Sequence, residues 1–233
     1  MKIALVGYGK MGQIIDKIAT ERGHEVVARL NALPTVESLN GAEVAIEFSK
    51  PEVAFENIKF CLENNVSVVC GTTGWLDKKQ QIEQIANDNN VGFIYGSNFS
   101  LGVNLFFALN EKLAHMMKNF NEYHIQLEEI HHIHKLDAPS GTAITLAEGI
   151  MSQNSKFNAW KLDETQDNQL GITAIRENEV PGTHSIYYQS EVDEIEIKHT
   201  AHNRNGFALG AVVAAEWLNG KSGNFTMKDV LGL

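Results

Sequence analysis

Three of the nine histidines, His131, His132 and His134, fall within four residues of one another. They lie in the stretch Glu128-Glu129-Ile130-His131-His132-Ile133-His134-Lys135-Leu136-Asp137-Ala138-Pro139-Ser140-Gly141-Thr142-Ala143. Such a density of imidazole, ammonium and hydroxyl groups suits acid–base work on an anion. An imidazole such as His131 can donate a proton near neutral pH, and Lys135 brings a mobile positive charge. Ser140 is a natural N-cap for a helix over 142–151, and the free N–H groups of Gly141 and Thr142 at its start can hold a carboxylate. Two other readings compete. A histidine cluster suggests a metal, yet zinc wants ligands converging from a fixed spacing and a strand sends adjacent side chains to opposite faces, so no metal is expected. The stretch can also be a solvated strand and loop, which leaves the proximity of acid, cation and helix start unexplained.

The second chemical motif is Gly7-Tyr8-Gly9-Lys10-Met11-Gly12, a G-x-G-x-x-G pattern after a strand-like run and before a helical one. In that context it is a dinucleotide site. Gly7 permits the tight turn, Gly9 lets a pyrophosphate approach the backbone, and Gly12 lets helix and strand pack closely. An acidic residue for the adenine ribose is expected about twenty residues on. The nearest position is Asn31, which is either an uncharged ribose contact or only a turn residue. Lys10, and Arg29 if its side chain faces the ribose, add positive charge toward a 2′-phosphate, so NADPH is expected to serve at least as well as NADH.

Two further loops, Cys70-Gly71-Thr72-Thr73-Gly74-Trp75 and Tyr95-Gly96-Ser97-Asn98-Phe99-Ser100, follow apolar runs and would face the cofactor in a parallel sheet. Taken singly, each also reads as an ordinary polar turn. A second basic group, His199-Thr200-Ala201-His202-Asn203-Arg204, is either a further part of the site or a polar linker.

These groups need elements to hold them. Ile3 to Val6, His24 to Leu30, Val44 to Phe48, Val66 to Cys70 and Val91 to Tyr95 read as strands, and Met11 to Arg22, Pro51 to Glu63 and Asp77 to Asn87 as the helices between them. That alternation predicts a doubly wound parallel sheet. After Asn98 the rhythm changes: a helix over Leu101 to Lys118, a strand over 122–132, a helix after Ser140, then strand-like stretches at Ile172-Ile175, Thr183-Gln189 and Glu194-Thr200. The prediction there is an α+β domain with a mixed, largely antiparallel sheet. Phe207 to Leu218 is helical again and is expected to return to the first domain. Residues 1–100 and 205–233 would then form the dinucleotide-binding domain, and 101–204 a second domain.

Composition narrows the class. At 233 residues, 43% hydrophobic and 21% charged, the chain is long enough and apolar enough for a real core. Nineteen basic against twenty-nine acidic side chains give a net charge of −10, which repels a phosphate backbone or an anionic membrane, so neither nucleic acid nor membrane is an expected partner. Cys61 and Cys70 lie in apolar surroundings and read as buried thiols of a reducing compartment. Met1-Lys2-Ile3-Ala4-Leu5-Val6 runs straight into the glycine motif without a signal-peptide pattern, and a cytoplasmic protein is expected.

The block from Glu129 to Ala143 resembles E-x-H-H-x-x-K-x-D-x-P-S-G-T-A, the signature of the dihydrodipicolinate reductase family, and Gly7 to Gly12, Cys70 to Gly74, Ser97 to Ser100, Arg204 and Phe207 recur in that family's order. The resemblance covers nearly the whole chain. It implies reduction of a small cyclic dicarboxylate with NADH or NADPH in diaminopimelate and lysine biosynthesis, by a Rossmann-like domain completed by the C-terminal helix and a sheet domain that assembles a homotetramer, which makes 101–204 the substrate-binding and oligomerisation domain. By the same similarity His131 is the general acid and Lys135 its partner, while His132, Ser140, Gly141 and Thr142 hold substrate. Gly71, Thr72, Thr73, Ser97, Asn98 and Phe99 lie along the nicotinamide; Gly7, Gly9, Lys10, Met11, Gly12, Asn31, Arg204 and Phe207 complete the cofactor set. Asn31 stands where many members carry an acid.

Overall fold

The computed structural model describes residues 1–163, 168–203 and 205–233. The chain divides into two units, Met1–Asn104 with Asn205–Leu233, and Leu105–Arg204.

The first unit is built on strands β1 (Lys2–Val6), β2 (Glu25–Leu30), β3 (Val44–Glu47), β4 (Ser67–Cys70) and β5 (Gly92–Tyr95). Between them run helices α1 (Lys10–Glu21), α2 (Val36–Leu39), α3 (Pro51–Glu63) and α4 (Lys79–Asp88). Burial on both faces explains the unbroken apolar strands. Ile3 and Leu5 enter one core with Ile15 of α1, and Ala4 and Val6 enter the other with Ile58 of α3. Pro51 opens α3 at the position where its missing N–H costs nothing.

The second unit begins within α5 (Leu101–Met117) and holds β6 (His124–His131), α6 (Gly141–Gln153), β7 (Ala159–Leu162), β8 (Gln169–Arg176), β9 (Thr183–Gln189) and β10 (Glu194–Thr200). Its five strands run in the order β10-β9-β6-β8-β7. The pairs β10–β9 and β9–β6 are antiparallel, and β6–β8 and β8–β7 are parallel, so the sheet is evenly mixed. Leu127, Ile172, Ile186 and Tyr188 face a core closed by Phe106 of α5 and Leu146 and Ile150 of α6.

The chain then forms α7 (Asn205–Leu218), β11 (Gly223–Phe225) and α8 (Met227–Leu231). Ala208, Ala211, Val212, Ala215 and Leu218 of α7 pack beside Ile15 and Ala19 on the first sheet. With β11 joined to β5, that sheet is parallel throughout in the order β11-β5-β4-β3-β1-β2.

Three short elements, α2, β7 and β11, have no clear sequence signal. Each is too short for its periodicity to stand out, and β11 owes its existence to the free edge of β5.

Candidate active site

The order of the first sheet reverses between β1 and β3, and ligands of doubly wound sheets bind beyond the strand ends at such a point. A cavity of about 520 Å³ opens there, lined in part by Gly7, Gly9, Asn31, Phe48, Ser49 and Lys50. Gly7 has φ +95°, and a Cβ on it would fall 2.1 Å from the Phe48 carbonyl oxygen; Gly12 backs onto the Gly7 carbonyl at 2.4 Å by the same construction. Gly9 has open space where a Cβ would be, and it caps α1 with no side-chain hydrogen bond. The helix start is therefore approachable, its N–H groups and positive dipole end available to a pyrophosphate. Lys10 is exposed and Met11 half-buried on the first turn of α1.

Asn31 has a task that the sequence does not reveal: its Oδ1 accepts the Tyr8 backbone N–H at 2.8 Å, which ties the glycine loop to the end of β2. The expectation that Arg29 faces the ribose needs correction. Its guanidinium grips Asp16 of α1 through Nε at 2.6 Å and Nη2 at 2.9 Å, and the Tyr8 hydroxyl donates to the same carboxylate at 2.5 Å. Asp16 is buried and attracts the nearest cation, so Arg29 turns onto the helix and brings no free charge to the ribose. Lys50, which no sequence motif singles out, lines the cavity instead. Its position directly before Pro51, in the loop beyond a parallel strand, is a usable signal.

In the two loops expected along the nicotinamide, Thr73 and Ser97 are exposed and Gly71 and Asn98 half-buried. The Thr72 hydroxyl accepts the Ser49 N–H at 2.8 Å and its carbonyl accepts the Trp75 indole N–H at 2.7 Å, so Thr72 holds the loop in place. Asn98 accepts the Ser100 N–H through Oδ1 at 2.9 Å. Phe99 is buried, its ring 5.9 Å from that of Phe48, so its side chain supports the loop from within the core. Phe207 is half-buried near the start of α7. Arg204 lies outside the described residues.

The second unit brings most of the histidine block together. Period-two alternation on β6 puts Glu129 and His131 on one face, and strand register adds their neighbours: His184 of β9 is paired with Glu129, and Arg176 of β8 with His131. Glu129 is fully buried. Both its oxygens accept the Ser140 backbone N–H at 3.1 Å, and Oε1 also accepts Arg176 Nη2 at 3.1 Å. Oε2 lies 3.4 Å from His131 Nδ1 and 3.6 Å from His184 Nε2. Burial alone would raise the Glu129 carboxyl, but His184, Ser140 and Arg176 outweigh it and bring the pKa down to about 2. Glu129 is thus a fixed anion.

His131 behaves oppositely. Burial pulls its pKa down to about 4 against the attraction of Glu129, and the charges of His184, Lys135 and Arg176 add to that lowering. Its ring is neutral at pH 7. The Nδ1 atom is buried without a hydrogen-bond partner, whereas Nε2 lies beside Gly182, where a Cβ would approach it to 3.0 Å.

Around this pair the sequence candidates divide. Lys135 is not the free cation its type suggests: its ammonium meets both Asp137 oxygens at 2.8 Å. Asp137 is largely exposed, and such a pair is worth about 0–1 kcal/mol, so a substrate carboxylate can take its place. Ser140 caps α6, its hydroxyl accepting the Ala143 N–H at 3.2 Å and meeting His184 Nε2 at 3.1 Å. The first intrahelical bond of α6 belongs to Ile144, at 3.0 Å to the Ser140 carbonyl, which leaves the Gly141 and Thr142 N–H groups ahead of it for an anion. His132 is half-buried, with its ring 6.1 Å from that of His134, which pairs with Glu179 at 3.1 Å.

Sequence reasoning misses Glu129, Arg176 and His184 as site residues. His184 is the legible one, as a polar residue in phase with Ile186 and Tyr188 on a strand. Among the described residues, Glu129, His131 and His184 also form the one group with three donor atoms close enough for a metal, all within 4.8 Å. Arg176 already supplies positive charge to that carboxylate, and its guanidinium would repel a cation there.

A glycine loop at the switch point of a parallel sheet is the architecture of dinucleotide-dependent oxidoreductases, and the second unit adds a buried imidazole and a helix start with free N–H groups. Family profiles described as Dihydrodipicolinate reductase, N-terminus, and Dihydrodipicolinate reductase, C-terminus, match residues 1–99 and 102–231. The chain belongs to the dihydrodipicolinate reductase family, NAD(P)H-dependent oxidoreductases of diaminopimelate and lysine biosynthesis.

It is 54% identical to a 4-hydroxy-tetrahydrodipicolinate reductase of Christiangramia forsetii, over 99% of this chain and 98% of that protein. Among solved structures it is similar to a dipicolinate-bound dihydrodipicolinate reductase from Paenisporosarcina sp. TG-14, with TM-score 0.77, 25% identity and 97% of each chain covered. A diaminopimelate (DAP) dehydrogenase of C. glutamicum, at TM-score 0.51 and 13% identity over 97% of this chain and 92% of the other, shares the fold alone. No described helix is long and apolar enough to cross a membrane.

Proposed function

We propose that this chain reduces 4-hydroxy-tetrahydrodipicolinate to tetrahydrodipicolinate, the 4-hydroxyl leaving as water and one hydride and one proton being added to the dehydrated ring, with His131 as general acid and Lys135 as its partner. The observation that carries the reading is the grouping of His131, Lys135 and the start of α6 in one unit, where a dicarboxylate can meet a cation, two free N–H groups and a proton donor. Gly141 and Thr142 hold one carboxylate at the helix start that Ser140 caps, and by family resemblance His132 contacts the substrate as well. Lys135 leaves Asp137 for the substrate's charge. A dianion near His131 opposes the lowering by burial, so the ring takes a proton on binding and returns it to the substrate in the reduction.

The glycine loop and the cavity beside it fit a dinucleotide: the pyrophosphate on the α1 start with Gly7, Gly9, Lys10, Met11 and Gly12, the adenosine near Asn31 and Lys50. Gly71, Thr72, Thr73, Ser97, Asn98 and Phe99 line the nicotinamide end, and Arg204 and Phe207 complete the set. When bound, the reduced nicotinamide supplies the hydride. Asn31 presents no carboxylate to repel a 2′-phosphate and Lys50 adds a cation, although Glu52 and Glu56 line the same cavity. NADPH is then used at least as well as NADH. By family resemblance the enzyme works in the cytoplasm as a homotetramer, on a small cyclic dicarboxylate, away from nucleic acid and membranes.

The test is NAD(P)H oxidation with substrate generated in place by a coupled synthase. Oxidation that depends on that substrate is expected. Binding of the nucleotide without turnover would leave a dinucleotide-binding protein instead, and oxidation with aspartate in its place would mark an amino-acid dehydrogenase.

A further inference from the structure

A carboxylate that faces one nitrogen of an imidazole decides which nitrogen carries the proton. Here that carboxylate is itself fixed. Glu129 is fully buried, bound through both oxygens to the Ser140 amide and through Oε1 to Arg176. What remains of Oε2 faces His131 Nδ1 at 3.4 Å and His184 Nε2 at 3.6 Å, and His184 is itself 3.1 Å from the Ser140 hydroxyl. His131 Nδ1 is buried and makes no hydrogen bond, and Glu129 Oε2 faces it at ion-pair distance. At the other end of the ring Nε2 packs beside Gly182, where a Cβ would stand 3.0 Å from it.

We propose that Glu129, held by Ser140, Arg176 and His184, is the positioning residue that keeps the proton of neutral His131 on Nδ1 and leaves Nε2, beside Gly182, as the nitrogen that takes up and delivers the catalytic proton. The inference rests on the reading of His131 as general acid. The step moves one proton and no electrons: Nε2 gains it from solvent when substrate binds and loses it to the substrate carbon, while Nδ1–H stays in place. Glu129 remains ionised throughout and offsets the imidazolium, as the buried carboxylate does in a serine-protease triad. The charged and titratable groups facing His131 are Glu129 of β6, Lys135 of the following loop, Arg176 of β8 and His184 of β9.

His184 has a second consequence. With Nε2 3.1 Å from Ser140 Oγ and 3.6 Å from Glu129 Oε2, it stands between the cap of the α6 helix and the carboxylate that orients the acid. Anion binding at α6 and proton delivery at His131 thereby share one frame, and the absence of a side chain at Gly182 spares the delivering atom a Cβ at 3.0 Å.

The experiment combines ring-nitrogen NMR of selectively labelled histidine with pH profiles of kcat/KM for Glu129→Gln, His184→Asn and His131→Gln. In the wild type, His131 should be the Nδ1–H tautomer. In Glu129→Gln it should become a mixture or switch to Nε2–H, with kcat lowered at least about 10²-fold, the scale of general acid–base catalysis, and cofactor Kd unchanged. The pH limb assigned to His131 should move to lower pH, because the anion that favours the imidazolium is gone. His184→Asn should perturb the tautomer less and in the same sense, and it decides the matter if Glu129→Gln does not fold. An unmoved tautomer and pH limb in these variants, with His131→Gln inactive, would overturn the inference alone. Full turnover in His131→Gln would overturn the reading beneath it.

Discussion

Glu129 and His184 are registered partners on antiparallel strands β6 and β9, with Oε2 and Nε2 3.6 Å apart and the ring of His131 5.1 Å from that of His184. A buried anion, two imidazoles and a guanidinium thus share one end of the mixed sheet. Their charges make the unit's stability depend on pH in a definite direction.

The neutral His131 ring has its pKa lowered from 6.5 to about 4, so between those values the unfolded chain binds more protons than the folded one. Stability is therefore lost as pH falls from 6.5 toward 4. Glu129, lowered from 4.5 to about 2, contributes stability above pH 4.5 that is lost as pH falls toward 2. Both effects weaken the fold in acid. Calorimetry from pH 7 to pH 4 should show a falling Tm, and His131→Gln should flatten the part between 6.5 and 4. An equal slope in that variant would remove His131 from the account.

Lys135→Ala should raise the substrate KM and lower kcat while leaving cofactor Kd in place. A charge-assisted hydrogen bond is worth about 1.5–3 kcal/mol, or roughly 10- to 100-fold in kcat/KM, and any role in positioning the transition state adds to that. Asp137→Asn should act in the opposite sense on KM by releasing the ammonium. Steady-state kinetics on both variants checks the pair.

Pyridine-2,6-dicarboxylate should compete with substrate, since it offers two carboxylates to Lys135 and the α6 start. The N–H groups of Gly141 and Thr142 survive most side-chain changes, so Thr142→Val tests only the hydroxyl and Thr142→Pro removes an N–H at the second helical position. Inhibition should weaken in the proline variant. Equal inhibition of wild type and Thr142→Pro would place the contact elsewhere.

Cofactor choice separates Asn31, Lys50 and Arg29. Asn31→Asp should favour NADH, because a carboxylate accepts ribose hydroxyls and repels the 2′-phosphate. Lys50→Ala should raise KM for NADPH more than for NADH. Arg29→Ala should leave the NADPH/NADH ratio of kcat/KM near its wild-type value, since that guanidinium is spent on Asp16. A ratio changed most by Arg29→Ala would reverse this assignment.

The parallel sheet is readable in the sequence because strands such as Ile3–Val6 and Val68–Cys70 are buried on both faces and stand out as apolar runs. The acid and the helix start are readable because they sit within one short block. The polar frame is harder. Arg176 and His184 reach Glu129 only through strand register, 47 and 55 positions further along the chain than that carboxylate, and a single sequence carries no trace of which strands pair. Arg29 is misplaced for a related reason: alternation fixes its side of β2, but not that buried Asp16 of α1 is its nearest anion.

Proton donation by His131 in the reduction is tested most directly by kcat of His131→Gln at saturating NAD(P)H and substrate, with cofactor Kd measured by fluorescence on the same preparation. The expected result is a loss of about 10²- to 10⁴-fold in kcat with Kd unchanged. Wild-type-like kcat in that variant would contradict it.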